Sequence, residues 1–338
     1  MADLTDSELA LLNGRLASKG VSALRPLTGG ASSLTYAGCI AGRRIVVKVA
    51  PSGVEPIAHR NVLRQSRIIR ALERTNVPVP HILFEDAGRP PRVPPLYAMS
   101  FLEGTSTEPL FDLHAPHLSD ATIAARFRNS ARALARLHSL DPTTVDVGDD
   151  LVLRPQDEID RWSRTLQTVD PALVPGWRYV SAALESLLPS PVRPAIVHGD
   201  FRLGNLLAVG EEITAVIDWE IWSISDPRVD LGWFLINSDP ATYQRTTRYA
   251  NAAPSTDELI ATYCEELGAD LPELQWFESL ACFKSAATWS LIVKHNRRRP
   301  TPDPDLEAMA TAPPRLLGRA GELLSSYRGS HHPNTDQP

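Results

Sequence analysis

The sequence contains 338 residues, of which 43% are hydrophobic and 22% are charged, and its formal net charge is −6. This composition is ordinary for a globular protein, and the length favours two domains or lobes over a single core. The negative net charge provides no general basic field for nucleic acid or an anionic membrane, so we expect neither as a partner.

The N-terminal segment 1–20 is acidic and lacks the basic start and the long apolar core of a signal peptide. No run of about 18 apolar residues follows it, so the sequence predicts no membrane span. The three cysteines are widely spaced and odd in number, which predicts neither a disulfide framework nor a metal cluster. We therefore expect a protein of the reducing cytoplasm.

The first hundred residues predict a small antiparallel sheet. Residues 22–40 have the pattern of a strand, a glycine-rich turn and a second strand. The β-branched run from Arg43 to Ala50 suits a central strand, and Lys48 places a charge near its end. Residues 81–86 and 96–104 predict further strands, which completes a unit of about five strands.

From Pro56 to Arg74 the period of the apolar residues changes to that of a helix. Val62, Ile69 and Leu72 share one face of this helix. Gln65 lies on the same stripe and is its one polar member. The VPVP segment that follows ends the helix.

After Gly104 the pattern becomes mainly helical, and Ser119 is a candidate N-cap for a long apolar stripe. Helical patterns recur near 157–169 and 178–188 and continue after a hairpin formed by NLLAV, GEE and TAVID. The predicted class is α+β. It comprises a sheet lobe with one helix at 1–103, a larger helical lobe at 104–326 and a polar tail at 327–338.

The run IVHGDFRLGNLL, from Ile196 to Leu207, places polar residues between two apolar segments. AIV reads as a short strand, so HGDFRLGN is the loop after it, and the hairpin follows and ends in IDWE. Asp200, Asn205 and Asp218 can therefore converge on one small volume. Magnesium prefers hard oxygen ligands, so Asn205, Asp218 and substrate phosphates suffice to hold it, and Asp200 remains to take a hydroxyl proton. Glu220 is either a second metal ligand or a salt-bridge partner.

A glycine-rich turn and a strand lysine supply what a phosphate site requires. The glycines of the TGGASS turn allow backbone N–H groups to approach phosphate oxygens, and Lys48 offers a point charge. The ordered set of turn, strand lysine, H-x-D-x4-N motif and strand ending in Asp is far more specific than any of its parts. The turn residues predicted to contact the nucleotide are Gly29, Gly30, Ser32 and Ser33.

This set resembles the protein-kinase-like phosphotransferases of the aminoglycoside and choline kinase group. GGASSLTY, HGDFRLGNLL and AVIDWEIWSISDPRVDLGWFL are similar to the kinase-like domains fused to acyl-CoA dehydrogenases, and the similarity covers roughly residues 20 to 300. It implies a bilobal protein-kinase-like fold and in-line phosphoryl transfer that depends on ATP, or alternatively GTP, and on Mg²⁺.

The resemblance assigns a role to each residue that matches a family motif. It implies that Lys48 binds the α- and β-phosphates, that Asp200 is the catalytic aspartate, and that Asn205 and Asp218 hold magnesium. Asp230 matches an aspartate that braces the catalytic loop from a following helix.

Arg202 stands two residues after Asp200, where many protein kinases carry a lysine that faces the transferred phosphoryl group. A loop-bracing ion pair is the alternative role for Arg202. We expect His198 to pack and hydrogen-bond rather than to transfer protons, because Asp200 is better placed as the base. The linker expected to hydrogen-bond adenine through backbone groups consists of Met99, Ser100, Phe101 and Leu102.

One position departs from the family pattern. Such kinases pair the strand lysine with a helix glutamate, and aligning VLRQSRIIRAL with that helix places Gln65 there. Glutamine can accept a hydrogen bond from Lys48 but carries no charge, and a charge-assisted bond is roughly twice as strong as a neutral one. We hypothesise that Gln65 still orients Lys48.

The leading hypothesis is a small-molecule kinase that phosphorylates a hydroxyl of a hydroxy acid or hydroxyacyl thioester, whose anionic end meets Lys284, Lys294 or nearby arginines. Aminoglycosides and macrolides are alternative acceptors. A nucleotide-binding pseudokinase with a regulatory role is the alternative from another class, motivated by Gln65. Protein substrates rank last, because the short segment from Asp218 to Asp226 leaves little room for a peptide platform. The sequence indicates no oligomeric state.

Overall fold

A computed structural model describes residues 6–27, 34–111, 117–148, 151–244 and 247–331. The chain divides into two compact units. The first consists of Met1–Ser106, Thr143–Asp149 and Gly204–Trp222, and the second of Thr107–Pro142, Asp150–Leu203 and Ser223–Pro338.

Strands and helices are both present, which confirms the predicted α+β class. In chain order, the strands are β1 (Val21–Pro26), β2 (Leu34–Ile40), β3 (Arg43–Val49), β4 (Ile82–Asp86), β5 (Leu96–Ser100), β6 (Ala195–Val197), β7 (Leu206–Val209), β8 (Glu212–Val216) and β9 (Ser223–Ser225). The helices are α1 (Asp6–Ala17), α2 (Val62–Leu72), α3 (Asp120–Ser139), α4 (Pro155–Leu166), α5 (Trp177–Ser186), α6 (Arg228–Ser238), α7 (Pro240–Tyr243), α8 (Thr256–Leu267), α9 (Leu274–Asn296), α10 (Pro304–Ala308) and α11 (Ala312–His331).

The first unit is built on the predicted five-stranded sheet. Its strands have the order β1-β2-β3-β5-β4, and every neighbouring pair is antiparallel. Helix α2 lies in this unit as predicted, and α1 adds a second helix that the sequence analysis does not include.

The two faces of β3 serve different purposes. Ile45, Val47 and Val49 join a hydrophobic core that also contains Leu16 of α1. Because successive strand residues alternate between faces, Lys48 points the other way, where only 8% of it is exposed. A charge at that depth requires hydrogen-bonding partners.

Helix α2 is shorter than the helix predicted for 56–74. Ala58–Arg60 forms a separate 3-10 turn, and the side chain of Asn61 accepts a hydrogen bond from the N–H of Arg64 at 3.1 Å. This cap satisfies one of the unpaired N–H groups of the first turn and sets the start of the helix after Asn61.

The predicted hairpin is confirmed by the antiparallel pairing of β7 and β8. Thr105 forms a bridge with Ala208 in β7, and the N–H of Val216 in β8 donates to the carbonyl of Pro78 at 2.8 Å. These contacts attach the hairpin to the first unit. The predicted lobe limits, 1–103 and 104–326, stay a prediction.

The second unit is organised around the long helix α9, which packs against α4, α6 and α11. Gly232 lets α6 approach α9 closely, since a Cβ at this position would lie 2.6 Å from the backbone carbonyl carbon of Phe277. A larger residue would push the two helices apart. Within the described residues, none of the helices is both long enough and apolar enough to cross a membrane.

Helix α3 begins as predicted, because Oγ of Ser119 accepts a hydrogen bond from the N–H of Thr122 at 3.0 Å. Helix α11 continues to His331, into the segment predicted to be a polar tail from 327, and the limits of that tail stay a prediction. Tyr327 is 5% exposed and its hydroxyl donates to Glu273 at 2.7 Å. The tyrosine ring supplies an apolar contact in a segment whose overall composition is polar.

Candidate active site

The predicted catalytic loop follows directly on β6, which ends at Val197. Gly199 has a φ of 86°, a left-handed conformation that glycine adopts without steric cost. Asp230, in the first turn of α6, accepts hydrogen bonds from the N–H of His198 at 2.6 Å and from the N–H of Gly199 at 2.8 Å. The backbone immediately before Asp200 is therefore fixed by one carboxylate.

Asp230 is fully buried, and its carboxylate also contacts the side chain of His138. Nε2 of His138 lies 3.4 Å from Oδ2 of Asp230, and Nδ1 of His138 lies 2.7 Å from the hydroxyl of Tyr263. Burial opposes the charge, yet hydrogen bonds and charges from His138 and His198 hold the pKa of Asp230 below its ordinary value. An ionised and well-paired carboxylate suits the structural role predicted for this residue.

His198 is also fully buried. Its Nδ1 accepts a hydrogen bond from the N–H of Asp200 at 3.2 Å, and its ring packs edge-on against Phe201 with 6.0 Å between ring centroids. Both contacts brace the loop, in agreement with a supporting rather than a proton-transferring histidine.

Two donors contact the carboxylate of Asp200. Nε1 of Trp233 donates to Oδ1 at 2.8 Å, and Nε of Arg202 lies 3.3 Å from Oδ1 and 3.4 Å from Oδ2. The Asp200 side chain is still 25% exposed. Sequence reasoning missed Trp233, although its three-residue spacing from Asp230 places both on one face of a helix.

Arg202 joins two acidic side chains, because it also forms an ion pair with Glu108. Burial opposes its charge, but the carboxylates of Asp200 and Glu108 raise the pKa of Arg202 above its ordinary value. The side chain of Arg202 remains 32% exposed. Both roles considered for Arg202, the phosphoryl contact and the loop brace, stay predictions.

Lys284 of α9 does not fit its predicted role as an anchor for the anionic end of the substrate. It is 5% exposed, its Nζ donates to the carbonyl of Gly199, and Nζ lies 3.9 Å from the ring centroid of Trp233. Helix packing that the sequence pattern did not reveal buries this lysine under the catalytic loop.

In the first unit, Lys48 contacts Gln65, its predicted partner, and also Asp218, for which no contact with Lys48 was predicted. Its Nζ donates to Oδ1 of Asp218 at 2.8 Å and to Oε1 of Gln65 at 3.3 Å. Nε2 of Gln65 donates to the carbonyl of His59 at 3.1 Å, which turns the amide oxygen towards the lysine. Gln65 is 1% exposed, so this neutral side chain occupies a buried position beside the ammonium.

Lys48 remains a cation in spite of its burial. Burial disfavours the ammonium, but Tyr97 and the carboxylates of Asp218 and Glu220 raise the pKa of Lys48 above its ordinary value. Burial also raises the pKa of Tyr97 to about 12. The electrostatic contact with Lys48 keeps the salt-bridge role of Glu220 open beside the metal-ligand role.

Asn205 and Asp218 lie close together at one end of the hairpin. The carbonyl of Asn205 accepts a hydrogen bond from the N–H of Ile217 at 2.9 Å, directly before Asp218. Asp218 has a φ of 69°, in the left-handed region that aspartate enters more readily than most residues. Such a conformation at a polar strand end is typical of functional sites.

The oxygen donors of this segment fit a magnesium ion in kind. Asn205, Asp218 and Glu220 offer one amide and two carboxylates, and magnesium is usually bound through one or two carboxylates together with water and phosphate oxygens. Across the described ranges, the side chains of His, Cys, Asp and Glu form no group of three or more that could hold a metal by themselves.

The other residues predicted to contact the nucleotide fall in two segments. The turn residues Gly29, Gly30, Ser32 and Ser33 lie outside the described residues. In the linker, Met99 and Ser100 end β5, and Phe101 and Leu102 follow. The N–H of Ser100 donates to the carbonyl of His81 at 2.8 Å, and that of Phe101 to the carbonyl of Arg44 at 3.3 Å.

The chain belongs to the phosphotransferase enzyme family (APH), whose family model matches residues 23–277. The resemblance predicted from the motifs is confirmed.

Two of its relatives are acyl-CoA dehydrogenase family members. Member 10 of Mus musculus is 28% identical over 297 residues, and member 11 of Homo sapiens is 28% identical over 257 residues. The matches cover 82% and 72% of this chain, but only 27% and 32% of those proteins. The chain thus spans less than a third of the length of these relatives.

Solved structures share the fold. A putative aminoglycoside phosphotransferase from Ralstonia eutropha has a TM-score of 0.73 at 20% identity, covering 96% of this chain and 99% of that one. A thermostable aminoglycoside phosphotransferase mutant in ternary complex with AMP-PNP and hygromycin B has a TM-score of 0.64 at 17% identity, covering 95% and 99%. At these identities the likeness is one of fold, and it confirms the predicted kinase-like class.

Proposed function

We propose that this protein is an ATP- and magnesium-dependent small-molecule kinase that transfers the γ-phosphoryl group to a substrate hydroxyl. The observation that carries the proposal is the arrangement of the Asp200 loop. Its backbone is fixed by Asp230 through two hydrogen bonds, while the Asp200 carboxylate is oriented by donors and remains 25% exposed. A rigid loop that presents an accessible carboxylate is what a general base requires.

In the proposed reaction, Asp200 accepts the proton of the acceptor hydroxyl. The acceptor oxygen forms a bond to the γ-phosphorus while the bond from that phosphorus to the β–γ bridging oxygen breaks, and ADP leaves with the electron pair. Asp200 then releases its proton to solvent. Arg202, already close to Asp200, would contact the oxygens of the transferred group.

Residues of the first unit are proposed to bind the nucleotide. Lys48 would contact the α- and β-phosphates, oriented by Gln65, and the linker would contact adenine. A magnesium ion, held by Asn205, Asp218 and Glu220, would neutralise charge on the phosphates. Two structural neighbours, one in complex with AMP-PNP and one with ADP, support nucleotide use.

Aromatic residues of the second unit support an acceptor with an apolar part. The rings of Tyr243 and Trp289 stack with centroids 4.9 Å apart, and Phe111 lies 4.6 Å from Tyr243. Burial raises the pKa of Tyr243, and the charges of Glu108 and Asp200 add to this effect, so this cluster lies within electrostatic reach of Asp200.

The groups near this cluster are not strongly acidic, as a polycation would require, because Arg202 offsets one of the two carboxylates of Asp200 and Glu108. Glu108 is in an ion pair with Arg202. We therefore place a hydroxy acid or a hydroxyacyl thioester first among acceptors, which the names of the acyl-CoA dehydrogenase relatives also support. Aminoglycosides and macrolides come second, and they are supported by structural neighbours that are aminoglycoside and macrolide phosphotransferases. A regulatory pseudokinase is the third candidate, and the uncharged Gln65 is the observation that favours it.

The test compares the wild type, Asp200→Asn and the control Asp270→Asn, which neutralises an exposed carboxylate. Calorimetry measures binding of ATP and of GTP with and without magnesium. ADP formation is then measured with hydroxy acids, hydroxyacyl thioesters, aminoglycosides and macrolides. We expect Asp200→Asn to lower kcat by about 10²–10⁴-fold, the usual contribution of a general base, without loss of nucleotide binding.

The outcomes separate the candidates. Turnover that Asp270→Asn keeps and Asp200→Asn loses supports the kinase, and the best acceptor identifies the substrate class. Binding without turnover on every acceptor favours the pseudokinase. Undiminished turnover in Asp200→Asn would remove Asp200 as the base, and absence of nucleotide binding would overturn the proposal as a whole.

A further inference from the structure

The indole of Trp233 makes a directional contact with the proposed general base. Its Nε1 donates to Oδ1 of Asp200 at 2.8 Å, and Trp233 is only 6% exposed. An indole has a single donor in the plane of a rigid ring, so its hydrogen bond restricts the rotation of the carboxylate that accepts it. Arg202 lies farther from the same oxygens, at 3.3 and 3.4 Å.

Lys284 contacts the ring face of the same indole. Its Nζ lies 3.9 Å from the ring centroid of Trp233, in cation–π contact, and donates to the carbonyl of Gly199. Burial lowers the pKa of Lys284, against the charges of Asp200, Glu158 and Asp230. The carbonyl of Gly199 and the ring face of Trp233 thus act as close partners of the buried ammonium of Lys284.

Helix geometry brings these contacts together. Asp230 and Trp233 are three residues apart on α6 and therefore lie on one face of that helix. Gly232, between them, permits the close approach of α9, the helix that carries Lys284. Contacts from these two helices reach the backbone or side chain of each residue from His198 to Asp200.

We propose that Trp233 and Lys284 are positioning residues for phosphoryl transfer. Trp233 fixes the orientation of the Asp200 carboxylate. Lys284 holds in place both the indole of Trp233 and the carbonyl of Gly199, the residue before Asp200. This inference rests on the proposed function of Asp200. The residues act through Asp200 and need not touch the substrate.

The first test is Trp233→Phe, which keeps an aromatic ring and removes the donor. The control is Trp276→Phe. Trp276 is fully buried and its Nε1 also donates a hydrogen bond, to the carbonyl of Leu184 at 3.3 Å. We expect Trp233→Phe to lower kcat by about tenfold or more, since small misplacements of a catalytic group are costly, while the KM for ATP stays within about twofold. Trp276→Phe should retain wild-type kcat.

A second measurement separates positioning from general loss of structure. Both phenylalanine substitutions are repeated in the Asp200→Asn background, and the melting temperature of every variant is recorded. If Trp233 acts through Asp200, Trp233→Phe causes no further fall of the residual rate there, because the group that it orients is already inactive. A fall of the same factor in both backgrounds would overturn the proposal.

Lys284→Met tests the lysine of α9, with Lys19→Met, at an exposed lysine outside that helix, as its control. Lys284→Met should reduce kcat with an unchanged KM for ATP, and this effect should also vanish in the Asp200→Asn background. If Asp200→Asn abolishes turnover while Trp233→Phe and Lys284→Met match the wild type, the inference fails and the proposed function stands. If Asp200→Asn itself is fully active, the proposed function fails with it.

Discussion

Gln65, the uncharged partner of Lys48, stands where the family has a glutamate, and its role can be tested directly by substitution. We predict that Gln65→Met weakens nucleotide binding about tenfold. Methionine keeps the length of the side chain, but it removes the acceptor 3.3 Å from Lys48 and the donor 3.1 Å from the carbonyl of His59. A hydrogen bond to a charged group contributes about 1.5–3 kcal/mol. Asp218, at 2.8 Å, still holds the ammonium, so we expect the lower end of that range, which corresponds to about a factor of ten.

The assay is a calorimetric titration with a non-hydrolysable ATP analogue in the presence of magnesium, together with urea unfolding. Ser66→Ala is the control, because Ser66 is equally buried on α2 and its Oγ donates to the carbonyl of Leu63 at 3.0 Å. We expect this control to lose about 1 kcal/mol of stability and to bind nucleotide normally. If Gln65→Met binds nucleotide as tightly as Ser66→Ala, Gln65 does not orient Lys48 and the reasoning is refuted.

Two further predictions concern stability. Gly232→Ala should lower the free energy of unfolding by about 1–3 kcal/mol, because the new Cβ would lie 2.6 Å from the backbone of Phe277. Gly318→Ala on α11, where nothing lies within 4 Å, should be neutral or stabilising, and equal melting temperatures for the two variants would contradict this account. Asp230 has a pKa lowered from its ordinary value of 3.8, so its contribution to stability is present above that value and is lost as the pH falls through the folded-state pKa. Asp230→Asn should therefore flatten the acid-side decline of stability in urea unfolding below about pH 5, and an unchanged slope would count against the hydrogen bonds assigned to Asp230.

The family resemblance predicted the contact between Gln65 and Lys48, and local periodicity agreed with it. Gln65 stands on the apolar stripe of α2, and Lys48 alternates with the core residues of β3. Each pattern alone fixes the direction of one side chain. The residues lie only 17 positions apart, with the end of one strand and one turn between them, so few other arrangements were available.

Trp233 and Lys284 could not be predicted in the same way, because their contacts depend on how distant helices pack. Trp233 reaches Asp200 across 33 positions, and Lys284 reaches Gly199 across 85. One signal was nevertheless present for the lysine. Helix α9 is apolar on nearly all sides, which indicates a buried helix, and a lysine in the middle of such a helix requires an internal partner.

The charges of the two units bear on how a nucleotide would be bound. In the first unit, the cation of Lys48 faces the carboxylates of Asp218 and Glu220, a local sum of −1. In the second unit, the cation of Arg202 faces Asp200 and Glu108, again a sum of −1.

Both cations are therefore held in place before any ligand arrives, and burial of unpaired cations is avoided. In each unit taken by itself, the same pairing leaves no excess of positive charge. If the first unit binds a triphosphate as proposed, the missing charge has to enter together with the nucleotide, and Asn205, Asp218 and Glu220 are oxygen donors of the kind that retains a divalent cation. On this argument, the carboxylates beside Lys48 both preorganise the lysine and make nucleotide affinity depend on the accompanying metal.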